Sequence, residues 1–196
     1  MSRMAGSHHA PPTRPAVRLT YDDFLHFPDD GQRHELIDGE HYVTPSPNLR
    51  HQRISGKLHL AIAVYLKAHA TGEVFYAPLD VVVSEFDVVE PDLLYVSHER
   101  AAILVPQHVR GVPDLVVEIA SKGTRKRDET IKRALYERGG VIEYWVVDPE
   151  IDVVRMYRRE GTAFGRPQEL RRDAHDTLNT ALMPGLEIPL TDIFGA

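Results

Sequence analysis

Segment 114–121, with the sequence DLVVEIAS, places Glu118 inside a run that is otherwise apolar and typical of a β-strand. Burying the charge of this carboxylate is costly unless another group compensates it. The two candidate partners are a divalent metal ion and an arginine side chain. The segment alone favours neither partner over the other. The chain must therefore fold around a β-sheet that carries a charged site.

A second acidic position, Asp92 in the segment VEPDLLYV, lies one predicted strand earlier. Taken alone, Asp92 would be an ordinary strand-start residue after Pro91. Adjacent strands lie about 4.8 Å apart, so Asp92 and Glu118 can bind the same ion. Asp114 lies roughly 13 Å along the strand from Glu118. That separation exceeds the reach of one ion with ligands at about 2–2.6 Å. Asp92 with Glu118 is therefore the preferred metal pair.

The chain of 196 residues is predicted to form a single domain over 17–196, preceded by a disordered arm at 1–16. It contains no apolar run of the length, about 18 residues, that a transmembrane helix needs, so no membrane partner is expected. The absence of cysteine excludes disulfides and thiolate zinc sites and fits a cytoplasmic protein. No Walker loop, GxSxG or GxGxxG motif occurs, and the histidines show no metal-ligand spacing.

Local signals predict an α/β sheet with helices packed against it. Thr20 and Asp23 form a capping box for a short helix over 21–27, and Asp38-Gly39 is typical of a hairpin turn. Apolar residues recur at helical spacing through 49–70. The other predicted elements are strands at 74–83, 92–96, 115–120, 143–148 and 153–158, a helical turn within 97–113, a helix over 126–138 capped by Ser121 or Thr124, and a docked tail at 186–190 and 192–194.

The formal net charge is −6, which argues against nucleic-acid binding by overall attraction. Basic residues nevertheless concentrate in segment 121–138, which contains Lys122, Arg125, Lys126 and Arg127, and six arginines occur in 155–172. Each segment fits a solvated surface as well as a surface that faces phosphates.

Lys132 lies on the predicted helix that follows Glu118, with Asp128 and Tyr136 one helical turn to either side. Residues four apart share one face of a helix, so these three side chains form a stripe. An exposed Asp128–Lys132 pair, worth a few tenths of a kcal/mol, is the plainer interpretation for a helical lysine. Glu35, in the first hairpin strand, is by itself an ordinary solvent-facing residue. The occurrence of Glu35, Asp92 and Glu118 in one chain supports a functional site.

Five segments carry a resemblance to a known family: HELIDG (34–39), VEPDLLYV (89–96), GVPDLVVEIAS (111–121), RDETIKRALY (127–136) and GVIEYWVVDP (140–149). In this order and spacing they resemble the Uma2 family of endonucleases with the PD-(D/E)xK fold, over roughly residues 18–195. The resemblance implies a restriction-endonuclease-like mixed central sheet flanked by helices, with an N-terminal helix and hairpin.

The resemblance also implies Mg²⁺ or Mn²⁺ at Asp92 and Glu118, helped by the Ile119 carbonyl, and an extra acidic residue at Glu35. The superfamily motif places a lysine two residues after the glutamate, where this chain has Ala120. In Uma2-like sequences a lysine on the following helix takes its place, and Lys132 matches that position. Lys122 is the second choice for this role.

The predicted activity is metal-dependent hydrolysis of phosphodiester bonds, with DNA as the expected partner. Asp92 and Glu118 would hold the ion. Lys132 would orient or deprotonate the bound water, or neutralise charge on the phosphate, and Glu35 would position either a second ion or the lysine. Lys122, Arg125, Lys126 and Arg127 are expected to contact backbone phosphates. A homodimer is expected because cutting two strands needs two sites. The alternatives are an inactive nucleic-acid- or protein-binding module on the same fold and a hydrolase of smaller phosphate esters.

Overall fold

A central seven-stranded sheet and a second, five-stranded sheet organise the computed structural model, which describes residues 17–195. The arm predicted at 1–16 lies outside the described residues, and the single domain over 17–196 stays a prediction. The strands are β1 (Arg33–Ile37), β2 (Glu40–Thr44), β3 (Gly72–Tyr76), β4 (Val81–Ser84), β5 (Asp87–Val89), β6 (Leu93–Ser97), β7 (Val109–Arg110), β8 (Leu115–Ile119), β9 (Glu143–Asp148), β10 (Val153–Glu160), β11 (Ala163–Phe164), β12 (Gln168–Arg171), β13 (Thr177–Thr180) and β14 (Met183–Pro189).

The helices are short apart from one. They are α1 (Tyr21–Phe24), α2 (Leu49–Ala68), α3 (Arg125–Arg127), α4 (Arg133–Gly139) and α5 (Leu190–Phe194), with a 3₁₀ turn at His98–Ile103 and a π turn at Asp128–Lys132. The π turn joins α3 to α4, and we call the continuous stretch 125–139 the site helix. None of the helices in the part of the chain that the structure describes is long and apolar enough to cross a membrane.

The central sheet has the order β11-β10-β9-β8-β6-β3, and β12 also pairs with β10. Strands β8 and β9 are parallel, whereas β6 pairs with β8, and β9 with β10, in antiparallel fashion. The sheet is therefore mixed and flanked by helices, which confirms the predicted fold class. The predicted strands at 143–148 and 153–158 are confirmed as an adjacent pair.

Strand β8 is buried on both faces, because separate hydrophobic cores lie on the two sides of the central sheet. Leu115, Val117 and Ile119 belong to the core that includes α2 and α5, as their alternation predicts. Val116 and Ala120 belong to the other core, which includes the site helix. Glu118 lies between Val116 and Ala120 in sequence and therefore faces the site helix.

The second sheet has the order β2-β1-β5-β4-β7 and contains the predicted hairpin. Asp38 and Gly39 adopt positive φ angles of 56° and 77°, as a two-residue type I′ turn requires. A Cβ on Gly39 would lie 2.7 Å from the Cβ of Arg18, so the turn also needs the small residue for space. The hairpin fixes the register of β1, which carries Glu35.

One sequence prediction of an element is wrong, namely the single strand at 74–83. The structure divides it into β3, in the central sheet, and β4, in the second sheet. Pro78 lies between them, and proline has no N–H to donate to a strand ladder. The other departures are small: α1 ends at Phe24 and α2 at Ala68. The C-terminal tail packs on the core through Leu190, Ile193 and Phe194, as predicted.

Candidate active site

Strands of both sheets bring the three predicted acidic residues into the protein interior, with Asp92 directly before β6. Strand β6 pairs with β8 with Leu93 opposite Val117, so the next step of the same register sets Asp92 opposite Glu118. Glu35 comes from β1 in the second sheet. The three residues are 1–3 % exposed. The predicted pairing of Asp92 with Glu118 across adjacent strands is therefore what the topology allows.

Asp92 is held by three groups from different parts of the chain. Its Oδ1 accepts a hydrogen bond from Arg33 Nη1 at 2.9 Å, and its Oδ2 accepts one from the Ile119 amide at 2.8 Å. His51 Nε2 lies 3.0 Å from Oδ2. Burial alone would raise the pKa of Asp92, but His51 and Arg33 together lower it below its ordinary value. Asp92 is thus a carboxylate.

Glu118 receives both of its hydrogen bonds on one oxygen. Lys132 Nζ donates to Oε1 at 2.8 Å, and the Tyr136 hydroxyl donates to the same atom at 2.7 Å. Oε2 accepts no hydrogen bond from residues 17–195. Burial raises the pKa of Glu118 to about 8, opposed by the Lys132 charge and reinforced by the nearby carboxylates of Asp128 and Asp92. Oε2 therefore remains a candidate ligand atom.

Lys132 joins Glu118 to Glu35. Its Nζ lies 2.7 Å from Glu35 Oε1, and its side chain is only 3 % exposed. Burial would lower the pKa of Lys132, but Glu118, Glu35 and Asp128 raise it above the ordinary value. The π turn that carries Lys132 also buries Asp128, so the predicted stripe faces inward rather than solvent. The plainer interpretation, an exposed pair of charges, is wrong for these two residues.

Glu35 has no free oxygen. In addition to Lys132, its Oε1 accepts a hydrogen bond from the Glu90 amide at 3.1 Å, and its Oε2 accepts one from Thr44 Oγ1 at 3.2 Å. Arg127 Nη2 lies 3.6 Å from Oε2. Burial favours the neutral acid, but Lys132 and Arg127 lower the pKa of Glu35 below its ordinary value. Of the two roles predicted for Glu35, the contacts favour positioning the lysine over holding a second ion.

Carboxyl groups outnumber permanent cations in this region. The acidic residues are Glu35, Glu90, Asp92, Glu118 and Asp128, and the basic residues are Arg33, Arg127 and Lys132. Burial raises the pKa of Glu90 to about 7, with Asp80 adding to the effect. A surplus of buried negative charge is resolved either by bound protons or by a cation.

No cluster of three or more His, Asp or Glu side chains within 17–195 has the geometry of a metal site. Mg²⁺, however, keeps several waters and is often held by only one or two carboxylates together with substrate phosphate. Asp92 and Glu118 are hard oxygen donors of that kind. The residues present therefore fit a site for Mg²⁺ or Mn²⁺ that is completed by water and substrate.

Two adjoining clefts reach the site from solvent. The larger, of about 780 Å³, lies between loops 44–48, 121–124 and 149–152 and is also lined by Ile119. The smaller, of about 450 Å³, is lined by Glu90 and Asp92. Arg33 and His51 line both. Glu118 and Lys132 line neither, so Asp92 is the acidic pair member that directly faces a cleft.

The four basic residues predicted to contact nucleic acid occupy different environments. Lys122 is 88 % exposed at the rim of the larger cleft, and Lys126 is also exposed. Arg125 is half-buried and bonded to Asp148 at 2.6 Å. Arg127 is only 13 % exposed and donates to Thr44 at 2.7 Å. Arg127 thus points into the site, whereas Lys122 and Lys126 face solvent.

Sequence reasoning missed Arg33, His51 and Tyr136, all of which contact the acidic pair. Arg33 could have been found, because it lies two residues before Glu35 and alternation places both on one face of β1. Tyr136 lies in the predicted stripe, but a buried tyrosine at helical spacing is equally typical of a hydrophobic core. His51 has no local signal, since it follows the helix cap Asn48 as an ordinary first-turn residue.

Comparison with known proteins identifies relatives of the chain. The family model Uma2, described as "putative restriction endonuclease", matches residues 21–191. A crystal structure described as a putative nuclease belonging to DUF820, from Anabaena variabilis ATCC 29413, has 19 % identity and a TM-score of 0.76, over 90 % of this chain and 97 % of that one. At this identity the likeness shows the fold.

The type IIG restriction endonuclease BpuSI matches with 14 % identity and a TM-score of 0.39, over 66 % of this chain and 15 % of that one. That score is too low for a structural conclusion. No curated protein matches the sequence significantly. The family match spans most of the chain and includes β1, β6, β8 and the site helix. The chain therefore belongs to the Uma2 family.

Proposed function

We propose that the protein is a metal-dependent nuclease that hydrolyses phosphodiester bonds, with DNA as its substrate. The observation that carries the proposal is the convergence of Asp92 and Glu118 on adjacent strands, with the ammonium group of Lys132 bonded to Glu118. Membership of a family described as putative restriction endonucleases supports the same activity.

Asp92 and Glu118 would hold the cation, Mg²⁺ or Mn²⁺, with help from the carbonyl of Ile119. Such a cation polarises the phosphoryl group and makes water a better nucleophile at neutral pH. The hydrogen bonds of Glu118 support this role, because Lys132 and Tyr136 occupy Oε1 and leave Oε2 for a ligand.

Lys132 would supply positive charge behind the acidic pair, orient the attacking water, or neutralise charge that develops on phosphate. Glu35 would position the Nζ of Lys132, to which it is bonded at 2.7 Å. The raised pKa of Lys132 supports an electrostatic role over that of a general base, because the amine keeps its proton at neutral pH.

Lys122, Arg125 and Lys126 would contact backbone phosphates outside the reacting centre, without sequence preference. Lys126 is exposed, and Lys122 is exposed as well, with its Nζ in a loose pair at 3.7 Å from Glu150 Oε1. Arg125 is bonded to Asp148 and Glu150, so its contribution requires those pairs to open. For Arg127, contact with Thr44 and Glu35 supports a role inside the site instead.

A catalytically inactive binding module is the second candidate, and two observations favour it. The guanidinium of Arg33 already neutralises Asp92 at 2.9 Å. Glu118 and Lys132 do not line either cleft. Members of a nuclease fold can keep such an internal charge network without hydrolysing substrate.

Nicking of supercoiled plasmid DNA in Mg²⁺, Mn²⁺ or EDTA tests the proposal. Wild type should nick only with metal, and Asp92→Asn, Glu118→Gln and Lys132→Gln should each lower the rate by about 100-fold or more. Asp114→Asn is the matched control, because Asp114 is an equally buried strand-start aspartate bonded to the Ser97 amide rather than to the site.

Equal nicking by every variant would reveal a contaminating nuclease and contradict the assigned residues. DNA binding without nicking in either metal would favour the inactive module. Competition by mononucleotides as strong as that by plasmid would favour a hydrolase of smaller phosphate esters.

A further inference from the structure

The lysine that the family resemblance assigns to catalysis lies behind Glu118 and does not line the clefts. Nζ of Lys132 is bonded to Glu35 and Glu118, its side chain is 3 % exposed, and it lines neither cleft. Arg127 is similarly turned inward, toward Thr44 and Glu35. A phosphate that enters the clefts must therefore meet a different cation.

Arg33 is the cation that reaches both clefts from the centre of the site. Its Nη1 donates to Asp92 Oδ1 at 2.9 Å and lies 3.4 Å from the Glu90 carbonyl oxygen. Both of these contacts are made by Nη1. The Nε of Arg33 is buried and has no hydrogen-bond partner within 17–195. One side of the guanidinium is thus bound to the site while the Nε–Nη2 side is free.

An unpaired buried N–H is unfavourable, so a ligand group that accepts a hydrogen bond from Nε would be favoured. The Nε–Nη2 side of arginine presents two parallel donors that match two oxygens of a phosphate. A guanidinium keeps its positive charge at neutral pH. The free side therefore suits an anionic ligand with paired oxygens.

We infer that Arg33 is a catalytic residue that binds two non-bridging oxygens of the scissile phosphodiester through Nε and Nη2. Its Nη1 is bonded to Asp92, but the Ile119 amide and His51 also hold that carboxylate in place. The inference rests on the proposed function and deepens it. Arg33 forms no covalent bond in this role. Water supplies the oxygen of the new P–O bond, the bridging P–O bond breaks, and the departing oxygen takes a proton. Arg33 stabilises the negative charge of the transition state.

A purely structural Arg33, which only orients Asp92, makes opposite predictions for metal binding. Removing an orienting group would weaken the affinity of the site for a divalent cation. Removing a phosphate-binding cation next to a metal ligand would instead strengthen that affinity, because like charges repel. Metal affinity without nucleic acid therefore separates the two roles.

The experiment compares Arg33→Ala and Arg33→Lys with wild type, with Arg100→Ala as the matched control. Arg100 is bonded at 3.2 Å to a buried aspartate, Asp114, just as Arg33 is to Asp92, but it lines neither cleft. Thermal unfolding establishes that each variant folds. The readouts are Mn²⁺ affinity by electron paramagnetic resonance, binding of a short fluorescein-labelled DNA duplex in CaCl₂, and kcat for its cleavage in saturating Mn²⁺.

Both Arg33 variants should lose about 100-fold in kcat, as expected when a transition-state donor is removed. Both variants should bind Mn²⁺ at least as tightly as wild type, and Arg33→Ala should bind it more tightly. Both should bind the duplex more weakly than wild type. Added guanidinium ion should partly restore cleavage by Arg33→Ala. Arg100→Ala should match wild type in all three readouts.

Weakened Mn²⁺ binding, with cleavage restored by more metal, would overturn the inference and leave Arg33 an orienting residue. Unchanged kcat in both variants beside an active wild type would also overturn it, without affecting the proposed function. If wild type does not cleave, the proposed function fails, and duplex binding then tests the role of Arg33 by itself. Equal affinity of wild type and both variants for the duplex would reject phosphate binding by Arg33.

Discussion

Burial raises the pKa of Glu118 to about 8, whereas Glu35 and Asp92, which are as deeply buried, have pKa values below the ordinary range. The difference lies in their neighbours. Glu35 has both Lys132 and Arg127, and Asp92 has His51 and Arg33. Glu118 has Lys132 and lies among other carboxylates. Glu118 is thus the residue of the site whose charge is least compensated, and a bound cation would compensate it.

This difference predicts a dependence of stability on pH. A carboxyl whose pKa rises from 4.5 to about 8 on folding stabilises the protein fully below the lower value. That stability is lost as pH rises toward 8, by up to about 1.4 kcal/mol per pH unit. Glu35 and Asp92 have lowered pKa values, so their opposite contributions change at more acidic pH.

Urea unfolding in EDTA across this pH range should therefore show a smaller fall in unfolding free energy for Glu118→Gln than for wild type. Asp114→Asn serves as the control for loss of a buried carboxyl. Parallel pH profiles for wild type and Glu118→Gln would show that Glu118 does not hold a proton in the metal-free site.

At the level of elements, the site helix brings Lys132 and Tyr136 into contact with Glu118. Ser121 and Thr124 begin it with reciprocal hydrogen bonds: the Thr124 amide donates to Ser121 Oγ at 3.2 Å, and the Ser121 amide donates to Thr124 Oγ1 at 3.0 Å. These bonds close the turn that leads into the helix. Thr124, one of the two predicted caps, directly precedes the helix but makes no side-chain bond to its first amides. The π turn follows and carries Lys132, and π turns are frequent at functional sites.

Ser121→Ala should lower the unfolding free energy by about 1 kcal/mol, the usual net contribution of a hydrogen bond. Thr124→Val should also destabilise the protein. Because each side chain bonds the amide of the other, the double variant should cost less than the sum of the two single variants. Chemical denaturation of all four proteins measures this coupling. Strictly additive losses would show that the two residues do not stabilise the turn together.

Charge is distributed unevenly over the whole molecule. The net charge of −6 does not favour a polyanion, yet exposed lysines Lys122 and Lys126 lie on the side of the protein where the larger cleft opens and the site helix begins. Attraction to DNA would then be local and sensitive to salt. The expected homodimer stays a prediction, as does a cytoplasmic location.

Lys122→Ala and Lys126→Ala should each reduce the slope of log affinity for duplex DNA against log salt by about 0.9, the value for one lost phosphate contact. Lys67→Ala, on the exposed surface near the end of α2, is the control and should leave the slope unchanged. Fluorescence anisotropy titrations in CaCl₂ at several salt concentrations provide the slopes. An equal change for Lys67→Ala would indicate a nonspecific effect of net charge.

The sequence by itself determined the elements that have local signals. The capping box at Thr20, the hairpin turn at Asp38-Gly39 and the amphipathic pattern of α2 depend on residues within a few positions of one another. Strand alternation and spacing also predicted that Asp92 and Glu118 could lie opposite each other, because pairing of neighbouring strands follows simple geometric rules.

Only the tertiary structure decided which groups surround the acidic pair. Arg33 and His51 reach Asp92 from positions 59 and 41 residues earlier in the chain, and nothing local marks them as its partners. The contact of Lys132 with Glu35 likewise depends on how the second sheet packs against the central one. Burial and ion pairing are properties of contacts between distant segments, and a sequence pattern does not specify those contacts.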